Sequence, residues 1–584
     1  MTKYNFSLAF LAIIYSIPAI TLTICGSEFI TLELKHLTLY LAWCLSIVSL
    51  FILLCILLHK IKESLGQFNL VLTHLFIYTI SLIATYLSVI YHSSINYNIL
   101  SLATGTNYSE ALEFIKSYVF NTKTLYLIIF FTSLILIEIS SVKVLNKYYF
   151  FRNRTSYILL LLFCAILSLG IPFQINHFKY FTDDSSKNIN KIRDDNSLML
   201  YDPICCLYNS YLQIKSNKED FDTCLVRCNA EKIILDEGRS ENIILIIGES
   251  HNKYHSSLYG YPIKTNPMLE NDSLIVFNDV ISPRQITSHS IKAFMSFAEY
   301  GSKDKWCNYT LFPALLKKSG YNVCFYSNEF PFYGENSPWN SEAGFLTDGK
   351  ISKKLFSHQN DNMYKYDGQL IDEFLNNRKN IENKVGRNLI IFQLRGQHFT
   401  AKDRFPANFA IFKTEDYAIR KNLTENEKQE IADYDNACIY NDFIIHRIIS
   451  MYQKSNAIII YFSDHGEEAN DYRAHTGRDF GQLTEDGIHC LLDIPFIVYA
   501  TDSYKKKHPN IFQLIVQARN TPFSIDNLPH LLSHITGVYT TEYNKSKDPI
   551  SSSYDMHQRR LVLESLDYDS LIQGRKTYSI TYGY

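Results

Sequence analysis

The chain has 584 residues, a formal net charge of −2 and a mean hydropathy of −0.07. That length exceeds what one hydrophobic core serves, so at least two domains are expected. The balanced charge removes any electrostatic case for nucleic acid as a partner.

The mean hydropathy hides a split, because the first third is strongly apolar. Five apolar runs stand out, at 6–25, 37–58, 70–91, 125–142 and 157–173. Crossing a bilayer takes roughly 17–25 apolar residues. The first three runs meet that length, and the last two sit near its lower end. If the spans alternate, Lys3, Lys60, Lys62, Lys143, Lys147, Arg152 and Arg154 fall on one side. Glu28, Glu33, Glu110 and Glu113 fall on the other. The positive-inside rule then places the N-terminus in the cytoplasm. An odd number of spans puts everything after Phe173 outside. The first run lacks a small-residue cleavage site and reads as a retained signal-anchor. Glu138 falls inside the fourth run, where an ionisable residue is a functional candidate by default. Between the third and fourth runs, Ala111, Phe114, Ile115 and Val119 fit an amphipathic helix at the membrane surface.

These features divide the chain into a five-span α-helical membrane domain (1–175), a polar linker with short helices (176–240) and an α/β domain (241–584). Eight of the 12 cysteines lie beyond the spans. In an oxidising compartment they suggest disulfides. Cys205 or Cys206 would pair with Cys224 or Cys228, and Cys307 with Cys324. Apolar strands are expected at 243–248, 322–327, 389–394, 457–463 and 494–500, with a helix at 311–320 that ends in Lys-Lys-Ser-Gly. Continuous apolar strands imply a sheet covered on both faces. A doubly wound parallel sheet follows, with its site at the carboxyl ends of the strands.

Two of these strands end in metal-binding side chains. NIILIIG runs into Glu249 and Ser250, and AIIIYFS runs into Asp464 and His465. Carboxylates with an imidazole suit Zn²⁺ or Mn²⁺. Between the motifs, SPRQITSHSIKAFMSFAE offers hydroxyls at the start of a helix. There the backbone N–H groups favour a bound phosphate and an attacking alkoxide. Thr287, Ser288 and Ser290 all qualify as nucleophile, and each also suits an ordinary helix cap.

The segments GESHNKYHSSLYGYPIKTNP, SPRQITSHSIKAFMSFAE, GQHFTAKDRFP, YDNACIYND and SDHGEE resemble those of the bacterial phosphoethanolamine transferases. These are inner-membrane enzymes with a periplasmic domain of the alkaline-phosphatase/sulfatase type. The resemblance covers nearly the whole chain, and the SPR-then-Thr segment is similar to the branch that modifies the lipopolysaccharide core. It implies that Glu249, Thr287, Asp464 and His465 hold zinc and that Thr287 is the nucleophile. It implies pocket roles for His398 and His475, and contact of Thr106 and Glu110 with the ethanolamine head of a phosphatidylethanolamine donor. The acceptor would be lipopolysaccharide core or lipid A facing the periplasm. Departures fall at His251, Asn252, Gln393 and Leu102 and leave the four metal positions untouched. A phosphoglycerol transferase of the lipoteichoic-acid synthase type is the alternative enzyme. A non-catalytic lipid-binding membrane protein is the alternative without chemistry.

Overall fold

The computed structural model describes residues 2–25, 34–90, 94–95, 100, 122–147, 202–236, 241–302, 304–329, 345–347, 349–382, 386–471, 476–478, 485–563 and 565–572. The chain forms two compact units, Met1–Ser216 with Asp479–Gln482, and Asn217–Arg478 with Leu483–Tyr584.

In the first unit the apolar runs form helices α1 (Thr2–Cys25), α2 (Leu34–Ile61), α3 (Glu63–Ile90) and α4 (Thr122–Lys147). Among the described residues, three stretches are long and apolar enough to cross a membrane: Trp43–Ile61, Glu63–Ile90 and Thr122–Ser141. The apolar part of α1, Ser7–Leu22, is shorter. The fifth expected span (157–173) and the amphipathic segment around 111–119 lie outside the described residues. Leu11, Ile14, Tyr15, Cys44, Val48, Ile52, Ile77 and Ala84 pack as the common core of α1, α2 and α3.

Two buried acids among these helices are matched. Glu138 accepts from Tyr78 Oη at 3.0 Å and sits 2.8 Å from His74 Nε2. Asp202 is fully buried and accepts from Tyr15 Oη (2.9 Å), Trp43 Nε1 (2.7 Å) and the backbone N–H of Cys205 (2.7 Å). It stands at the start of α5 (Pro203–Ala230), one 28-residue helix where several short ones were expected.

The expected disulfides are absent. Cys205, Cys206, Cys224, Cys228, Cys307 and Cys324 form no disulfide among the described residues. Cys205 and Cys206 begin α5 and Cys224 and Cys228 end it. A helix rises about 1.5 Å per residue, which holds the two pairs far apart. Cys307 and Cys324 belong to core clusters on opposite faces of the central sheet.

The second unit is built on strands β1 (Asn242–Gly248), β2 (Ile275–Phe277), β3 (Asn322–Ser327), β4 (His358–Gln359), β5 (Asn388–Gln393), β6 (Ala457–Ser463) and β7 (Phe496–Ala500). Their order across the sheet is β2-β7-β6-β1-β5-β3-β4. Ile243, Leu245 and Ile247 of β1 enter one core, while Ile244 and Ile246 enter the other. Both faces are therefore covered, as continuous apolar strands require. The sheet is mixed and not wholly parallel, because β7 runs antiparallel to β6 and β2. Phe496, which begins β7, pairs with Phe462 near the end of β6. The intervening chain leaves and returns at the same edge. No crossover carries it back to the other edge, so the strand must run the opposite way.

Helix α6 (Glu425–Tyr452) carries the YDNACIYND motif and fastens the loop after β1. Asp435 accepts from Tyr261 Oη (2.7 Å), Tyr417 Oη (2.5 Å) and His255 Nδ1 (2.6 Å). The other ring nitrogen of His255 lies 2.8 Å from Asp471. Tyr434 Oη donates to the carbonyl of Ser250. Asp442 accepts from the backbone N–H groups of Met268 and Leu269.

Burial alone would lower the pKa of His255. The charges of Asp471 and Asp435 outweigh it and raise the pKa to about 10. The folded value lies above the unfolded value of about 6.5, so the contribution is complete below pH ~6.5 and is lost as pH rises through about 10. His255→Gln is expected to cost about 3–5 kcal/mol at pH 7, because it leaves two buried carboxylates short of a cation. Thermal unfolding of the full chain from pH 6 to 10.5 checks this. The parent should lose stability over that window, and the variant should show a flatter profile.

Candidate metal centre at the sheet edge

The register of two central strands places the site. β1 and β6 are parallel, with Gly248 opposite Ser463. Glu249 and Asp464 therefore leave neighbouring strands at the same level, as the sequence led us to expect. The N–H of Asp464 donates to the carbonyl of Gly248 at 3.0 Å. The turn after β1 is tight, with Ser250 at φ 59°. This brings Ser250 Oγ to 2.8 Å from Glu249 Oε1, to which it donates.

Two glycines permit this crowding. A Cβ on Gly466 would stand 2.1 Å from the carbonyl oxygen of Cys490. Gly396 has φ +47°, and a Cβ there would stand 2.8 Å from the carbonyl oxygen of Glu249. The chain after β5 thus closes on Glu249, and the N–H of Gln397 donates to that carbonyl at 3.0 Å.

The three candidate hydroxyls separate by position. A short helix spans Thr287–Met295, and Thr287 is its first residue. Thr287 Oγ1 donates to Glu249 Oε2 at 2.8 Å and lies 3.3 Å from His465 Nε2. Ser290 Oγ donates to the carbonyl of Asp464 at 2.6 Å, as does Ser282 Oγ, so both hold the backbone of a site residue. Ser288 Oγ is buried and has no hydrogen-bond partner among the described residues. Thr287 is the hydroxyl that the fold brings to the carboxylates.

His465 Nδ1 lies 2.7 Å from the carbonyl of Gly466. A carbonyl only accepts, so Nδ1 carries a proton and Nε2 faces the cluster. That atom is 3.3 Å from Glu249 Oε1 and 3.5 Å from Asp464 Oδ2. One donor atom from each of Glu249, Asp464 and His465 lies within 4.8 Å of the others, and all three residues are buried. Two ligands on a tetrahedral zinc with bonds of about 2.0–2.1 Å stand roughly 3.3 Å apart. Asp464 Oδ2 is buried without a hydrogen-bond partner among the described residues. The donor set fits a divalent metal.

The electrostatics agree. Burial and the charge of Glu249 push the Asp464 carboxyl up to about 8. Burial would also raise Glu249, but the charges of His465, His398 and Arg478 hold it well below the usual carboxylate range. Without a cation, one carboxylate keeps its charge and the other keeps a proton at neutral pH. A divalent cation removes that conflict.

Two nearby residues were not singled out from the sequence. Arg478 Nη1 lies 3.0 Å from His465 Nε2, and its Nε lies 3.2 Å from Glu467 Oε2. No motif marks it. Glu329 Oε1 lies 3.6 Å from His398 Nε2. Here a signal existed, because Glu329 follows the end of β3 much as Glu249 follows β1. His398 is placed beside the cluster, with its Nδ1 2.9 Å from the carbonyl of Phe399. Gln393 is buried at the end of β5 and accepts from Ser327 Oγ at 3.1 Å. His475, Thr106 and Glu110 lie outside the described residues.

Comparison with known proteins gives consistent matches. The sulfatase family model matches residues 241–538. Phosphoethanolamine transferase EptC of Escherichia coli is 26% identical over 364 residues, which is 58% of this chain. The chain spans 59% of the length of that relative. The zinc complex of the C-terminal periplasmic domain of Escherichia coli EptC is 24% identical, with a TM-score of 0.52 over 59% of this chain and 97% of that one. The integral membrane lipooligosaccharide phosphoethanolamine transferase A of Neisseria meningitidis is 14% identical, with a TM-score of 0.60 over 93% of this chain and 98% of that one. These two structures show a shared fold. The chain belongs to the sulfatase family, and the curated relatives it resembles are phosphoethanolamine transferases.

Proposed function

We propose that this protein is a zinc-dependent phosphoethanolamine transferase of a bacterial inner membrane. It would carry phosphoethanolamine from phosphatidylethanolamine to lipopolysaccharide core or lipid A. One observation carries the reading: the Thr287 hydroxyl, at the first position of a helix, donates to Glu249 inside a buried cluster with Asp464 and His465. The names of the relatives supply the transferred group, and the zinc complex of one of them supports the metal.

In the first step Thr287 Oγ1 forms a bond to phosphorus. The bond between phosphorus and the glycerol oxygen breaks, and diacylglycerol leaves. Glu249 Oε2, 2.8 Å away, takes the threonine proton. The departing oxygen gains a proton, a transfer assigned to His475. Backbone N–H groups at the helix start face developing negative charge on the phosphoryl oxygens. Zinc held by Glu249, Thr287, Asp464 and His465 would supply Lewis-acid stabilisation of the threonine alkoxide. In the second step an acceptor hydroxyl or phosphate oxygen attacks phosphorus. Thr287 Oγ1 leaves and regains its proton from Glu249, and the acceptor's proton, where it carries one, passes to His475. Ser250, Ser282 and Ser290 orient Glu249 and Asp464 through the whole cycle. His398 acts on the phosphoryl group.

The N-terminal helices would keep the lipid donor within reach, with five spans, the N-terminus in the cytoplasm and the catalytic domain in the periplasm. Thr106 and Glu110 are assigned to the ethanolamine head, where a carboxylate complements an ammonium group.

Intact mass after incubation with zinc and phosphatidylethanolamine tests the reading. A phosphoethanolamine adduct is expected on the parent chain and none on Thr287→Ala, whose transfer rate should fall by about 10³-fold or more. An adduct formed only from phosphatidylglycerol would move the assignment to a phosphoglycerol transferase. No adduct from either lipid, with zinc bound, would leave a lipid-binding protein. Metal content gives a separate check. Asp464→Asn should weaken zinc binding by roughly 10²-fold, read by competition with a chelator.

A further inference from the structure

We propose that Cys224 and Cys228 form a binding site for a single copper(I) ion, apart from the sheet edge and independent of the transfer reaction.

The helix brings the two sulfurs together. Cys224 and Cys228 are four residues apart on α5 and therefore share one face of it. Both belong to the larger core of the second unit, with Cys224 1% and Cys228 5% exposed. Chain that lies beyond the Thr287 helix in sequence packs along this face. Cys224 Sγ lies 3.7 Å from the carbonyl of Tyr309, and the N–H of Leu311 donates to Cys228 Sγ at 3.3 Å. The two thiols are also in hydrogen-bond contact with each other.

The same helix keeps the pair from becoming a disulfide. Residues at i and i+4 hold their Cβ atoms about 5–6 Å apart. A disulfide needs them at about 3.8 Å. An undistorted α5 thus holds two sulfurs in contact that do not oxidise to one another, even in a compartment where thiols are lost. Cys307 lies in the same core, but its thiol hydrogen-bonds to Asp220, one turn earlier on α5.

The number and kind of donors select the metal. Among the described residues no His, Cys, Asp or Glu joins Cys224 and Cys228 as a third donor within 4.8 Å. Zinc takes four ligands in a structural site. Copper(I) is soft, prefers thiolates and is satisfied by two of them. The N–H of Leu311 on Cys228 Sγ orients that ligand, as hydrogen bonds to ligating atoms do in other metal sites.

The charge fits as well. A dithiol that has lost one proton keeps the other between its sulfurs. Copper(I) takes the place of that proton. Two copper–sulfur bonds form, the remaining S–H bond breaks, and its proton passes to water. No electron is transferred. One unit of positive charge replaces another, so the core gains no net charge, and burying uncompensated charge is what such an interior resists.

The test is anaerobic titration of the full chain in detergent with copper(I), in competition with a copper(I) chelator, counting bound copper per chain. Cys224→Ala and Cys228→Ala should each bind one ion fewer than the parent, and Cys307→Ala as many as the parent. Circular dichroism and thermal unfolding establish which variants fold, and either folded variant of the pair suffices. Copper-edge X-ray absorption of the parent loaded with one equivalent needs no variant and should show two sulfur neighbours. Equal copper in the parent and in folded Cys224→Ala or Cys228→Ala would overturn the proposal. So would copper bound through nitrogen or oxygen, or a disulfide from Cys224 or Cys228 in protein isolated without reductant.

Discussion

The pairing of Gly248 with Ser463 is the constraint from which the rest of the site follows. Two parallel strands in that register deliver Glu249 and Asp464 to one point. A shift of one residue would turn alternate side chains to the opposite face and separate them. Apolar residues on both faces of β1 and β6 fill two cores at once. Glycine at 396 and 466 then allows neighbouring backbone to close on the carboxylates without a clash.

Concentrating buried acids at one edge is costly unless each is paired. The protein meets this in two ways. Behind the edge, Asp435 and Asp471 bracket His255, and tyrosine hydroxyls fill the remaining acceptor positions on Asp435. That network is closed within the chain and serves as scaffold. At the edge itself, Asp464 Oδ2 has no hydrogen-bond partner among the described residues. The contrast between a satisfied network and an open donor set fits a cation at the edge.

The first unit applies the same rule in an apolar setting. Glu138 is matched by His74 and Tyr78, and Asp202 by Tyr15, Trp43 and the backbone of Cys205. Both acids tie together elements distant in sequence. A carboxylate among apolar helices is tolerated when donors surround it.

Much was legible in the chain itself. Apolar runs announced the helices of the first unit, and continuous apolar strands ending in GES and SDHG announced a covered sheet with ligands at its carboxyl edge. Those are local signals, since hydropathy and strand-end chemistry are written in consecutive residues. Tertiary structure alone decided the rest. It turned β7 antiparallel, because the chain returned at the edge where β6 had ended. It kept the cysteines apart, because helix length and sheet faces separate them. It set Thr287 apart from Ser288 and Ser290, because of these three hydroxyls Thr287 is the one that donates to Glu249. It also brought Arg478 to the cluster from a segment with no motif of its own, and set Glu329 beside His398. Such proximity depends on which strands become neighbours, and neighbouring strands are chosen by packing across hundreds of residues.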